Sequence, residues 1–192
     1  GDYWRNKIVK FVPAAITYFN NSDTVSITDN MIIGNSFTYK QENNSSKSYR
    51  MYAAGISPVN KDTNPFTLIE NNTIQGNTLN DNGSSDLEAE LFAVGLSYDL
   101  GDLGTIKQTS IHANTIVDNN LIVSQTQGHE KAYSAGVYIN GPDDSLSFKD
   151  NIIVGNIATN QFDVVKSGGL FTNVSVVTST ISQNQGKEVG GI

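Results

Sequence analysis

Glu70, His112 and Lys149 stand 112 − 70 = 42 and 149 − 112 = 37 residues apart, and each lies two residues before an Asn: Asn72, Asn114 and Asn151. If the chain coils with that period, the three side chains form a row, each about 4.8 Å from the next at Cα level. A carboxylate beside an imidazole and an ammonium group can move a proton in acid–base work. The same row on a strand surface is also an ordinary ladder of compatible charges. The ladder is the simpler expectation, and no residue of the chain is assigned a catalytic role on sequence.

A second set of side chains suits binding rather than bond breaking. Tyr39, Tyr49, Arg50, Phe92, His129 and Tyr133 fall in the stretches 36–52, 78–92 and 120–134, which read as loops. Aromatic rings with an Arg or a His can stack on a sugar or anchor a protein partner. Tyr52, Phe92 and Tyr133 share one place in the pattern, so packing beneath their own loops is the competing expectation.

The remaining carboxylates fit no reaction geometry. Asp29 and Asp150 occupy one column three coils apart, about 14 Å by the coil spacing, beyond the roughly 5–9.5 Å of a glycosidase pair. Glu88 and Glu90 read as a solvated pair, and Asp118 as a turn residue. Asp99 with Asp102, and Asp143 with Asp144, are acidic turns of the kind calcium favours. No repeated Asp-x-Asp pattern supports them, so the expectation is no metal or cofactor, with calcium the one ion left room for.

These residues need elements to place them. Of 192 residues, 38% are hydrophobic and 16% charged, and 23 are Asn. Such a chain is too apolar for charge-driven disorder, and its Asn and Gly suit many turns. The net charge is −7 without a basic stripe, so nucleic acid is not an expected partner. There is no cysteine, hence no disulfide frame. No apolar run approaches the roughly 18 residues of a membrane span. Gly1 stands in mid-pattern, which suggests a mature product or an excised piece of something longer.

Two anchors recur in fixed order. The first is Asn-x-Ile-x-x-Asn: Asn30 to Asn35, Asn72 to Asn77, Asn114 to Asn119 and Asn151 to Asn156, with a degenerate copy from Ser179 to Asn184. The second is a small residue, Gly and an aliphatic: Ala54-Gly55-Ile56, Val94-Gly95-Leu96, Ala135-Gly136-Val137, Gly168-Gly169-Leu170 and Gly190-Gly191-Ile192, with Ala14-Ala15-Ile16 as an earlier copy lacking the Gly. A short alternating stretch, such as Val25-Ser26-Ile27 or Thr109-Ser110-Ile111, precedes each first anchor and reads as a strand with one buried face.

Three short strands without a helix cannot bury their apolar side alone, whereas stacked copies can. The expectation is an all-β, right-handed parallel β-helix of three short strands per coil and about five to six coils. It would run as one domain over 1–192, with 1–13 a lead-in or cap. Ile27, Ile32 and Ile56 head three apolar columns. Asn35, Asn77, Asn119, Asn156 and Asn184 form a polar ladder of hydrogen-bonded amides. A β-propeller repeats at a similar length. Here, though, the interval between first anchors shrinks from 72 − 30 = 42 to 179 − 151 = 28 while the anchors survive. Loops are being trimmed from a fixed frame.

Ser179-Thr180-Ile181-Ser182-Gln183-Asn184 with Gly190-Gly191-Ile192 resembles the right-handed parallel β-helix repeats of bacterial surface proteins. It is similar to the polymorphic outer-membrane proteins of chlamydiae, with their Gly-Gly-Ala-aliphatic and Phe-x-x-Asn motifs. The chain departs from them in lacking the extra Ala and in carrying Ile where they carry Phe. The resemblance spans about residues 14–192 and brings no catalytic residue with it. It implies a secreted or surface-displayed stalk or adhesin, outside the cell or on the bacterial outer surface. The expected partner is a glycan or a surface protein of a host or neighbouring cell. Two alternatives stand beside it: a β-helix polysaccharide lyase or hydrolase using Glu70, His112 or Lys149, and a filament self-associating through the β-helix ends.

Overall fold

The computed structural model describes residues 9–11, 15–19, 24–39, 49–51, 54–59, 66–82, 89–99, 108–123, 130–141, 146–160 and 165–186. Its strands form five parallel sheets, named A to E here in their order around a coil. Sheet A holds Val9–Phe11, Tyr49–Met51, Ala89–Leu91, Glu130–Ser134 and Val165–Ser167. Sheet B holds Ile16–Phe19, Ile56–Val59, Leu96–Asp99, Val137–Asn140 and Leu170–Thr172. Sheet C holds Thr24–Thr28, Phe66–Glu70, Thr109–His112, Leu146–Lys149 and Val176–Val177. Sheet D holds Met31–Ile33, Thr73–Gln75, Thr115–Val117, Ile152–Val154 and Thr180–Ser182. Sheet E holds Ser36–Tyr39, Thr78–Asp81, Asn120–Val123 and Ile157–Asn160. Every strand pairs with its counterpart in the next coil, so the chain is a parallel β-helix of about five coils.

The three stretches expected per coil are present as sheets C, D and B. Their columns run in register: Ile27 to Ile69, Ile111, Phe148 and Val176; Ile32 to Ile74, Ile116, Ile153 and Ile181; and Ile16 to Ile56, Leu96, Val137 and Leu170. These columns fill one core together with Tyr98 and Ile139. Tyr98 is buried at its phenol oxygen by a 2.7 Å hydrogen bond with the Thr109 hydroxyl. Ile192 lies outside the described residues.

Sheets A and E add a second core that the sequence reading did not anticipate. Leu79, Leu121, Val123, Leu91, Val94 and Ala135 fill it. The residues read as loops at 36–52, 78–92 and 120–134 thus carry strands at both ends. The stretches between those strands are 40–48, 82–88 and 124–129. The buried alternation of Leu79 with Asp81, or of Leu121 with Val123, covers too few residues, and includes a carboxylate, to mark a strand in the sequence.

The two cores meet at a waist made by the glycine of the second anchor. A Cβ on Gly95 would lie 2.5 Å from the Gly136 carbonyl oxygen and 2.7 Å from Ile116 Cγ2. Only a hydrogen fits there: the Gly136 carbonyl, which accepts from Leu96 N–H, closes it from the next coil, and Ile116 of sheet D closes it from across the coil.

Turns at both ends of sheet D bend the chain in the same register in every coil. The C-to-D turn uses positive φ at Asp29, Asn71, Ala113, Asp150 and Thr178, and the D-to-E turn at Gly34, Gly76, Asp118, Gly155 and Gln183. Between those turns sheet D has two outward columns. They are Met31, Thr73, Thr115, Ile152 and Thr180, and Ile33, Gln75, Val117, Val154 and Ser182.

Candidate functional site

The titratable row lies where the repeat placed it, on the outward side of sheet C. Glu70 faces His112, and His112 faces Lys149, in successive coils. His112 Nδ1 and Glu70 Oε1 are 3.0 Å apart, with the two side chains 27% and 28% exposed. That separation places the imidazole Nδ1 within hydrogen-bond reach of the carboxylate oxygen. Lys149 is exposed and, among the described residues, forms no ion pair. The row ends in Thr28 and Val177, which carry no charge. Chemically it is one carboxylate–imidazole pair with a cation alongside, on an open sheet face.

The other carboxylates occupy turns. Asp29 and Asp150 both stand in the positive-φ column before the first Asn ladder. Asp150 accepts a hydrogen bond from the Thr178 hydroxyl. Asp118 takes the positive-φ position filled by Gly34, Gly76 and Gly155 in other coils. Asp99 accepts from Asn140 Nδ2 at 3.0 Å, and Asn173 Nδ2 donates in turn to Asn140 Oδ1 at 3.3 Å. Asp102, Asp143, Asp144 and Glu88 lie outside the described residues. Among the described residues, no group of three or more His, Cys, Asp or Glu side chains is placed to hold a metal ion. Among the described residues there is no helix, and so none long and apolar enough to cross a membrane.

The aromatic candidates separate into different surroundings. Tyr39 ends a sheet E strand and packs against the second core. Burial, and then the nearby Asp81 carboxylate, raise its phenol above the usual range. Tyr49 and Arg50 open a sheet A strand, where the backbone register pairs position 50 with 90 and 90 with 131. His129 and Tyr52 lie outside the described residues. Phe92 is buried and Tyr133 partly so, in an outer cluster with Tyr138 and Phe171. Phe92 stacks on Tyr133 at 5.3 Å between ring centroids, Tyr138 on Phe171 at 5.7 Å, and an edge contact at 4.9 Å joins Phe92 to Tyr138. Phe92 and Tyr133 thus pack against each other and against Tyr138 and Phe171 of sheet B, while the loop residues 83–88 and 124–129 lie outside the described residues. The sequence reading missed the sheet B pair, whose signal was available: Tyr138 and Phe171 each directly follow the aliphatic residue of a second anchor.

Amide hydrogen bonding fixes both ends of sheet D. There are two Asn ladders, one at each end of sheet D. Asn77 donates through its backbone N–H and Nδ2 to Asn119 Oδ1 at 3.0 and 2.9 Å, and Asn119 does the same to Asn156 Oδ1. Asn119 Nδ2 also donates to the Ile74 carbonyl at 3.0 Å. The first-anchor column repeats the pattern from Asn30 through Asn72 and Asn114 to Asn151, where the Ser179 hydroxyl takes over as acceptor. The ladder at Asn35 was expected; the second, at Asn30, was not.

No protein-family model matches the chain, and no match is found among curated proteins or solved structures.

Proposed function

We infer that this chain is a non-catalytic, extracellular or cell-surface β-helix module that presents the corner between sheets E and A for binding a glycan or a surface protein. The observation carrying this reading is a contrast in spacing. The five-residue step from Asn30 to Asn35 keeps its length in every coil as far as Ser179 to Asn184. From the end of sheet E to the start of sheet A the step is 49 − 39 = 10, then 89 − 81 = 8, 130 − 123 = 7 and 165 − 160 = 5 residues. Segments free to change length on a rigid frame are where recognition resides. The resemblance to bacterial surface β-helix repeats supports the same compartment.

The test replaces residues 124–129 by a Gly-Ser linker of equal length and compares binding to a glycan array and to intact cells. The reading expects the parent chain to bind and the variant to lose at least tenfold in affinity, with an unchanged β-sheet circular dichroism spectrum. A parent chain silent on both surfaces would sink the adhesin reading.

A further inference from the structure

The outward face of sheet D is the part of the surface that neither the corner segments nor the charged row explains. Met31 is 76% exposed, Ile33 50% and Ile152 44%. None of its ten outward positions carries a charge, in a chain with 12 basic and 19 acidic residues. Seven of the ten are Thr, Val or Ile, whose branched Cβ fixes χ1. The same sheet is braced at both ends by the two Asn ladders. All five strands turn at the same residues, so the face has the same width in each coil.

Size and chemistry narrow what such a face can meet. Five strands of three residues span roughly 24 Å by roughly 10 Å. That area, on the order of 240 Å², is far below the roughly 800 Å² per partner of a stable protein interface. The outward side of one sheet has no second wall to enclose a small molecule. It has no cation for an anionic membrane, and no ring on which to stack a polysaccharide. An uncharged grid whose coils repeat about every 4.8 Å gains most from a partner that is itself periodic, because successive coils then meet it at one spacing. Thr adds a hydroxyl and a methyl at fixed positions, which hold ordered water without the strong hydration of a charge.

We propose that the outward face of sheet D binds ice. This is independent of the corner-binding reading. The experiment measures ice recrystallisation and thermal hysteresis with the chain, with Thr115→Lys at the centre of the face, and with Ser147→Lys on neighbouring sheet C. The chain and Ser147→Lys should inhibit ice growth alike, while Thr115→Lys should need at least tenfold more protein for the same effect. Circular dichroism confirms folding, and Val117→Lys carries the same test if Thr115→Lys melts early. Ice growth unaltered by the parent chain would overturn the proposal, as would equal loss in the sheet C and sheet D variants. A dimer in sedimentation that Thr115→Lys dissociates would overturn it too, by making the face a subunit interface.

Discussion

Sheets C, D and E on one side of the coil, and the return through sheet A on the other, solve the same problem of stacking by different means. On the first side, each C-to-D and D-to-E turn of the three middle coils is followed by a buried amide. That amide bonds to the coil beside it and to a backbone carbonyl, as Asn119 bonds to Asn156 and Ile74. An inserted residue there would displace an amide from its ladder and leave buried donors and acceptors without partners. On the second side the stack is held by aliphatic packing in the smaller core and by the glycine waist. Apolar contact is non-directional, so the segment leading into it can lengthen without breaking a specific bond. Polar saturation fixes length, and apolar packing permits variation.

The largest test of that contrast removes one amide from each kind of ladder. Asn119 is fully buried. Asn119→Ala strips Asn77 of an acceptor for two donors, and the Ile74 carbonyl of its side-chain donor. At about 1–3 kcal/mol per orphaned buried group, the loss is about 4 kcal/mol. Asn173 is exposed, donating to Asn140 Oδ1 and accepting from the Gly141 N–H, so Asn173→Ala, with water at hand to replace it, should cost about 1 kcal/mol. Urea unfolding of both variants measures the gap. Equal losses would mean that burial of the ladder contributes nothing to its strength.

Next in size is the waist. Gly95→Ala pushes a methyl group into the Gly136 carbonyl and Ile116, and overpacking of that kind costs about 3 kcal/mol. Gly76→Ala meets nothing within 4 Å, but it forces an alanine to φ +63°, at about 1 kcal/mol. Both replace a repeated glycine, yet only the first touches the junction of the two cores. Thermal melts should therefore rank Gly95→Ala well below Gly76→Ala, and the reverse order would remove the waist from the account of the fold.

Most of the laddered side was legible in the sequence, because its constraints act on single residue types at fixed spacing. Asn at both ends of a five-residue interval, with Ile between, leaves few alternatives. The titratable row on sheet C followed from the same register, and Glu70 and His112 do meet. Sheets A and E were not legible as strands. Their inward positions mix Leu79 with Asp81 and Tyr39 with Phe37, and the connecting length changes from coil to coil, so neither alternation nor period stands out. The aromatic cluster was half visible: Phe92 and Tyr133 repeat in step, whereas Tyr138 and Phe171 begin two coils later in a column that holds Ser57 and Ser97 earlier.

The smallest expected effect improves the laddered side. Ala113 holds φ +54° in the C-to-D turn, a column otherwise occupied by Asp29, Asn71, Asp150 and Thr178. Alanine has no side-chain polar group to offset its left-handed backbone, where its Cβ crowds the following carbonyl. Asn tolerates that conformation better and bonds to its own local backbone. Ala113 is also partly exposed, so the larger side chain has solvent to enter. Ala113→Asn should raise stability by about 0.5–1 kcal/mol, read as a higher urea midpoint with unchanged slope. A lower midpoint would show that the column is governed by contacts above the turn rather than by backbone strain, and the length-fixing role of that side would then rest on the amides alone.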